Sequence, residues 1–181
     1  MPTIIPYSWV TKSLTETPQS DRGYDTSVSG TQANIYDGDI GTYRMFRVHS
    51  GGDGWVKGYQ TLECTWAPSL PISSIYAYAQ QGTYGGNYKQ SIRLFEVDLK
   101  INGTWTSIDS SQTTDSQGSN VFYTQTYERT LNAGWKNVTG ARLYLYGFAY
   151  SYEGDRQQIV QLYMNEFQVN ANLNSGLAYI I

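Results

Sequence analysis

The sequence predicts an all-β fold, an antiparallel β-sandwich or barrel made of short strands. Residues 95–101 alternate without exception between apolar and charged side chains, the period of a strand with one buried and one wet face. No segment shows a convincing helical period, so the crossover helices of a doubly wound α/β fold have no candidate. Short strands separated by long polar connections favour a sandwich or a barrel instead.

The predicted strands follow one another along the chain as alternating segments. Asn102-Gly103 directly follows the segment 95–101 and predicts a tight hairpin turn, because both residues tolerate positive φ. Residues 104–108 form the return strand. The apolar residues that define the alternation are Leu62, Cys64, Trp66, Ile75, Ala77, Ala79, Phe95, Val97, Leu99, Ile101, Ala141, Leu143, Leu145, Val160, Leu162 and Met164.

The last strand changes phase near Asn165-Glu166, because Phe167 and Val169 continue the apolar pattern on the opposite parity. Such a change predicts a β-bulge. Simple alternation from Met164 turns Glu166 inward, where a carboxylate needs a partner. The alternative is that the bulge re-aims Glu166 to solvent or to an arginine.

We expect a single domain over residues 1–181, with a core at about 7–171 and short N-terminal and C-terminal arms. The apolar residues 177–181 are either a docked final strand or an arm that reaches a neighbouring subunit. The opening segment has no visible secretory signal. We therefore expect the protein to stay where it is made, or to leave by lysis, by a non-classical route or within an assembly.

Aromatic residues are as numerous as charged ones: 27 (Tyr 17, Trp 5, Phe 5) against 27 (Lys+Arg 12, Asp+Glu 15), with a net charge of −3. A pI near 5.0 and the lack of a basic cluster argue against a nucleic-acid binder. No apolar run approaches the roughly 18 residues of a membrane span. A single cysteine, Cys64, excludes an intramolecular disulfide.

The segment 33–43 concentrates oxygen-bearing groups around Asp37-Gly38-Asp39. A tight turn there directs two carboxylates and main-chain carbonyls toward one centre, and Thr42 adds a hydroxyl. Hard cations such as calcium take six to eight oxygen ligands, although the spacing is not that of an EF-hand. From the residues alone, the segment is either a cation loop that Glu166 completes or a solvated Asp-Gly turn.

Five segments in this order resemble the galactose-binding-like jelly roll of discoidin (coagulation factor 5/8 C-terminal type) domains and family 32 and related carbohydrate-binding modules. They are ANIYDGDIGTYR, LECTWAPSLPISSIYAYA, FEVDLKINGTWTSI, TGARLYLYG and MNEFQV. The resemblance covers about residues 7–171, and Arg44 stands where the family often has tryptophan. It implies a jelly-roll sandwich and a structural calcium ion, whose ligands would be Asn34, Asp37, Asp39, Thr42 and Glu166.

No constellation for catalysis is visible. His49 is the only histidine, so it cannot be combined into a nucleophile–base arrangement from the sequence. Cys64 lies on the predicted inward face of a strand and is expected to be a buried, inert thiol. We therefore expect a protein that is not an enzyme.

The predicted connections carry the aromatic and planar polar side chains with which proteins meet sugar rings. The candidate ligand-binding residues are Tyr43, Arg44, His49, Trp55, Tyr84, Asn87, Tyr88, Tyr150, Tyr152 and Arg156. Outward tyrosines on the strands, such as Tyr76, Tyr78, Tyr144 and Tyr146, suit permanent protein contacts equally well.

The sequence thus predicts a non-catalytic glycan-binding or adhesion domain, displayed on a phage or virus particle surface or tail. Its partners would be a glycan or other virion subunits, with a homo-oligomer as one arrangement and without nucleic acid or membrane insertion. The alternative is a purely structural decoration or assembly protein of a virion that binds no sugar.

Overall fold

The computed structural model describes residues 11–20, 26–50, 55–81, 89–112, 126–150, 158–173 and 176–179. These residues form nine strands and one short 3-10 helix. The strands are β1 (Thr11–Ser20), β2 (Thr26–Ser29), β3 (Arg44–Ser50), β4 (Trp55–Gln81), β5 (Lys89–Ile101), β6 (Thr104–Gln112), β7 (Thr126–Tyr150), β8 (Gln158–Leu173) and β9 (Gly176–Tyr179). The helix, η1, is Gln32–Ile35.

All strand pairings are antiparallel, and two long strands shape the fold. β4 and β7 pair along nearly their whole lengths, but the register between them shifts three times between Thr65 and Ser74. The half of β4 before this irregular stretch pairs with β1, and the half after it pairs with β8. The strands form one continuous hydrogen-bonded sheet in the order β2-β3-β8-β4-β7-β5-β6, with β1 paired to β4 and β9 to β8. Because β4 and β7 run through both parts of it, we call the part with β1, β5, β6 and the adjoining halves of β4 and β7 the first sheet, and the part with β2, β3, β8, β9 and the other halves the second sheet.

The two sheets face each other across an apolar core. Phe95 of the first sheet stacks on Tyr127 of the second, with 5.4 Å between ring centroids and 11° between ring planes. Trp66 donates its indole N–H to the carbonyl of Val138 at 2.9 Å, which fixes β4 to β7 where the layers meet. The predicted all-β jelly-roll sandwich is confirmed.

Most apolar positions of the alternating segments are buried. The wet face predicted for residues 95–101 is wrong at Asp98, which is buried because it forms an ion pair with Arg142. Leu62, Cys64 and Trp66, Ala77 and Ala79, and Phe95, Val97 and Leu99 are buried, as predicted. The predicted turn also forms, with φ of 50° at Asn102 and 83° at Gly103. Both values lie in the left-handed region that Asn and Gly tolerate best.

Residues 177–179 belong to β9, which pairs with residues 170–173 of β8 and thus docks on its own chain. No helix in the described ranges is long and apolar enough to cross a membrane.

The topology brings many strand ends to one end of the sandwich. β3 ends at Ser50, β4 begins at Trp55 and ends at Gln81, and β5 begins at Lys89. The end of β7, at Tyr150, and the start of β8, at Gln158, lie at this same end. We call it the strand-end cluster. The connection between β2 and β3, residues 30–43, runs beside the other half of β8.

Candidate functional site

The segment 30–43 is held in place by side-chain contacts to its own backbone. Asp37 Oδ1 accepts the amide of Asp39 at 2.9 Å, and Asp39 Oδ1 accepts the amide of Gly41 at 2.8 Å. Asn34 donates its side-chain N–H to the carbonyl of Tyr43 at 3.0 Å, which closes the segment. Gly38 has φ of 82°, which allows the sharp turn between the two aspartates.

Several oxygens converge on the hydroxyl of Thr42. Its Oγ1 lies 2.8 Å from Asp37 Oδ2, 3.0 Å from the carbonyl of Asp39 and 3.4 Å from the carbonyl of Asn34. A threonine hydroxyl carries one hydrogen and can donate it to one acceptor at a time. The other close approaches are therefore between oxygens without a shared proton, an arrangement that a cation at their centre would stabilise.

Glu166 faces this segment from β8. It is 1% exposed, and its Oε2 accepts the amide of Gly38 at 2.9 Å. Its Oε1 is buried and has no hydrogen-bond partner among the described residues. No described lysine or arginine forms an ion pair with it.

The bulge in β8 is confirmed, and it corrects the reason given for the burial of Glu166. Tyr78 of β4 pairs with Glu166 and the next residue, Ala79, pairs with Met164, so Asn165 is the extra residue. Beyond the bulge Phe167 and Val169 face the core, and alternation turns Glu166 to the opposite side of the strand. Glu166 is buried because segment 30–43 lies against it, and it points neither into the core nor to an arginine.

Asn165 belongs to this site although sequence reasoning did not select it. Its side-chain N–H lies 3.0 Å from the carbonyl of Ile40 and 3.3 Å from that of Thr42, and it donates to both. Its Oδ1 is buried without a partner in the described structure. The phase change of the apolar pattern was the signal that could have identified it, because a bulge often re-aims a side chain at a site.

The electrostatics of the site fit a cation. The amide of Asp39 and the hydroxyl of Thr42 lower the pKa of Asp37. Burial raises the pKa of Glu166. The amide of Gly38 and the side chain of Gln168 oppose this rise in the pKa, and the nearby Asp37 and Asp39 add to it. A cation would relieve both the burial and the mutual repulsion of the carboxylates.

The donor set is one of mixed oxygens. Within the described ranges, no three His, Cys, Asp or Glu side chains are grouped so that they could hold a metal ion by themselves. Carbonyl and hydroxyl oxygens would have to supply a large share of the ligands, which is common for calcium and unsuitable for zinc. The five predicted ligands, Asn34, Asp37, Asp39, Thr42 and Glu166, do lie in one neighbourhood.

The strand-end cluster contains a second group of predicted residues. Trp55 at the start of β4 pairs with Tyr150 at the end of β7, and Tyr150 also pairs with Lys89 at the start of β5. His49 pairs with Ile159 near the start of β8. The backbone positions of His49, Trp55 and Tyr150 thus lie at one end of the sandwich.

The polar composition of residues 41–58 predicts one long connection that carries Tyr43, Arg44, His49 and Trp55, and this prediction is wrong. Residues 44–50 form strand β3, because their alternating pattern pairs with β8 in register. Five residues of extended chain separate Arg44 from His49 by roughly 17 Å. Tyr43 and Arg44 therefore belong with segment 30–43, where Arg44 donates a hydrogen bond to the carbonyl of Gly30.

Five further predicted residues lie outside the described residues: Tyr84, Asn87, Tyr88, Tyr152 and Arg156. They belong to the connections 82–88 and 151–157, which join strands of the strand-end cluster. Their roles stay predictions.

Segment 30–43 also exposes apolar side chains that the sequence reasoning did not select. These are Tyr36, which is 40% exposed, and Ile40, which is 49% exposed. The predicted residue Tyr43 of the same segment is 40% exposed. Tyr43 packs on Tyr163 of β8, with 4.6 Å between ring centroids. Their signal was their position beside the two aspartates, because an apolar residue on a polar turn has no core to join.

The described residues contain no arrangement that resembles a nucleophile and its base. Cys64 is 1% exposed on the core side of β4, as predicted, and therefore out of reach of substrate.

No protein-family model matches the sequence, and no curated protein matches it significantly. Several solved structures are similar. The family 32 carbohydrate-binding module of NanJ from Clostridium perfringens, solved with galactose, is 18% identical over 86% of this chain and 92% of its own, with a TM-score of 0.37. TmCBM61, solved with β-1,4-galactotriose, is 13% identical over 87% and 88%, with a TM-score of 0.40. An F5/8 type C domain from Bacteroides fragilis is 14% identical over 91% and 97%, with a TM-score of 0.30.

Proposed function

We propose that this chain is a non-catalytic carbohydrate-binding domain that holds a glycan at the strand-end cluster. The observation that carries the proposal is the register that sets Trp55 opposite Tyr150 and Tyr150 opposite Lys89. It brings two large aromatic residues to adjacent strand ends, with a histidine, His49, at the end of β3.

The chemistry of these residue types suits sugars. A sugar ring offers an apolar C–H face and a rim of hydroxyls, which bind to aromatic rings and to planar hydrogen-bonding groups respectively. The connections that start from these strand ends supply Tyr84, Asn87, Tyr88, Tyr152 and Arg156. The resemblance of the five sequence segments to carbohydrate-binding modules supports the same proposal.

A glycan array with purified protein tests this function. Trp55→Ala and Tyr88→Ala are expected to lower the affinity for the bound glycan at least about tenfold, as expected for aromatic anchors. Tyr36→Ala is the matched control, because Tyr36 is an exposed tyrosine on segment 30–43. An array without any binding, or equal losses in the control, would contradict the proposal.

We also propose that segment 30–43, Asn165 and Glu166 hold a structural calcium ion. The support is the convergence of oxygens on Thr42 and the unpartnered, buried Oε1 of Glu166. When bound, the ion would neutralise the carboxylates and fix the segment against β8. It need not touch the glycan.

A particle surface or tail of a phage or virus is the proposed setting, with assembly alone as the second candidate function. The observation that favours assembly is the partly exposed pair Tyr76 and Tyr78 on the outer face of the second sheet, since such tyrosines suit protein contacts. Light scattering after size exclusion tests it: an ordered oligomer together with a blank glycan array would favour assembly over sugar binding.

A further inference from the structure

The outer face of the first sheet carries a pocket of about 260 Å³ that is separate from both regions described above. It is lined by Thr61, Glu96, Asp98, Arg142 and Tyr144. Three adjacent strands supply these residues in continuous register: Thr61 of β4 pairs with Tyr144 of β7, which pairs with Glu96 of β5. Six strand residues, roughly 20 Å, separate Thr61 from the strand-end cluster.

Arg142 is fixed in the pocket. Asp98 is 3% exposed, and its Oδ2 accepts a hydrogen bond from Arg142 Nε at 2.7 Å. The same oxygen lies 2.5 Å from Arg142 Nη2. The guanidinium carbon lies 4.7 Å from the ring centroid of Trp105. Its remaining nitrogen, Nη1, donates to no described residue, so a ligand can accept from it without the ion pair being broken.

The backbone is adapted to the ring that holds Arg142. A Cβ on Gly140 would lie 3.2 Å from Cη2 of Trp105 and 3.0 Å from the carbonyl oxygen of Cys64. Glycine at this position therefore lets the Trp105 ring lie close over β7. Lys100 Nζ lies 5.6 Å from the centroid of the same ring, so two cations approach the Trp105 indole.

The other polar groups of the pocket remain available. Glu96 forms no hydrogen bond or ion pair with a described residue, so its carboxylate can accept from a ligand. Tyr144 offers a hydroxyl, which is protonated at neutral pH and can donate to a ligand or accept from it. Tyr59 and Tyr146, stacked at 4.8 Å, continue the aromatic surface beside it.

These groups define the ligand by its chemistry. A carboxylate acceptor, a guanidinium donor and a hydroxyl beside aromatic rings match the hydroxyl rim and C–H face of a pyranose. The two carboxylates and one guanidinium leave the pocket with one excess negative charge, which repels sialylated, uronate or sulfated sugars. The volume lies just below the usual range of about 300–1,000 Å³ for ligand pockets and suits a single ring.

We propose that this pocket binds one neutral sugar unit of a glycan, as a second binding site beside the strand-end cluster. The inference rests on the proposed carbohydrate-binding function and adds a site and a preference for uncharged sugars. Since the site is built on paired strands and an ion pair, it is formed before the ligand binds.

The test is a glycan array of neutral and acidic glycans, followed by calorimetric titration of the glycans bound. Thr61→Trp fills the pocket, and Glu96→Gln removes its free charge with little change in shape. Thr106→Trp, at an exposed position of β6, is the matched control. Because Glu96 is half-buried and unpaired, Glu96→Gln is expected to fold even if Thr61→Trp does not.

The expected result is at least about a tenfold loss of affinity for a neutral glycan in Thr61→Trp and in Glu96→Gln, but not in Thr106→Trp. Glu96→Gln is also expected to reduce the ratio of the affinity for neutral glycans to the affinity for acidic glycans. One outcome refutes the second site alone: the wild type binds glycans, Trp55→Ala abolishes all binding, and both pocket variants bind as the wild type does. The proposed function then stands. If the wild type binds no glycan on the array, both fall together.

Discussion

Replacement of Glu166 by glutamine is expected to have opposite consequences with and without calcium. Without calcium, the glutamine oxygen can still accept the amide of Gly38, and the buried charge, whose pKa burial raises, is removed. With calcium, the same change removes a charged ligand from the site. The variant therefore separates a cation site from an ordinary buried carboxylate.

The magnitudes follow from the contacts. Weakening one charge-assisted hydrogen bond costs about 1 kcal/mol, and the relief of a buried, unpaired carboxylate opposes this loss. In chelator we therefore expect the unfolding free energy of Glu166→Gln to lie within about 1 kcal/mol of the wild type. Calcium at about 100 times its Kd stabilises the wild type by about 2.7 kcal/mol, which raises the Tm of a chain of this length by about 5–10 °C.

Thermal melts at pH 7, in EGTA and in excess calcium, measure both effects. The wild type is expected to show the calcium shift, Glu166→Gln to lose most of it, and Glu128→Gln, an exposed carboxylate on β7, to retain it. A wild type without a calcium shift would refute the cation site. An undiminished shift in Glu166→Gln would show that the ion binds without this carboxylate.

Three further changes test the packing. Gly30→Ala is expected to lower the unfolding free energy more than Gly103→Ala does, as measured in denaturant titrations. Both glycines have positive φ, but a Cβ on Gly30 would lie 2.4 Å from the carbonyl oxygen of Tyr43, whereas a Cβ on Gly103 would meet open space. Arg142→Met is expected to cost about 3–5 kcal/mol by the same measurement, because it leaves the buried Asp98 uncompensated; a smaller loss than in Asp98→Asn would contradict this. The pKa of Tyr144 is raised to about 12, so the native state keeps a proton that the unfolded chain releases near pH 10. Stability is therefore expected to fall as the pH rises from 10 to 12, and Tyr144→Phe should flatten that fall in melts across the range.

Local patterns were enough to predict the strands that have one buried face. The segment 95–101 alternates because one side of β5 packs in the core, and Asn102-Gly103 then forms the turn that its tolerance of positive φ predicts. The phase change at Asn165 was readable for the same reason, since an extra residue shifts a period of two by one. Burial alternation is a local property, and the sequence carries it directly.

The course of β4 and β7 through both sheets was not readable. Residues 126–138 pair with the second half of β4, yet only Tyr127, Leu131, Trp135 and Val138 in that stretch pack in or against the core. The separation into layers depends on which long-range partners each half finds. Such pairing is a tertiary property that no local pattern records.

The candidate cation site shows how local and long-range information combine. Asp37, Asp39 and Thr42 are close in sequence, so their turn could be predicted from residue types alone. The partner from β8 could be predicted only through the resemblance and the parity of Glu166, and the parity argument reached the right residue by the wrong geometry. Asn165 was missed because a bulge residue has no defined face until its neighbours are in place.

The two proposed sugar sites differ in how firmly the chain holds them before a ligand arrives. The pocket residues stand on three paired strands, and an ion pair and an indole ring fix Arg142, so binding there orders few side chains. The strand-end cluster places Trp55 and Tyr150 where the chain leaves the sheets for connections of four to seven residues (51–54, 82–88 and 151–157). Connections of this kind accept changes of sequence more readily than paired strands do. The pocket on the first sheet is therefore suited to hold one sugar ring in one orientation. The strand-end cluster is suited to determine which glycans, containing such a ring, are bound.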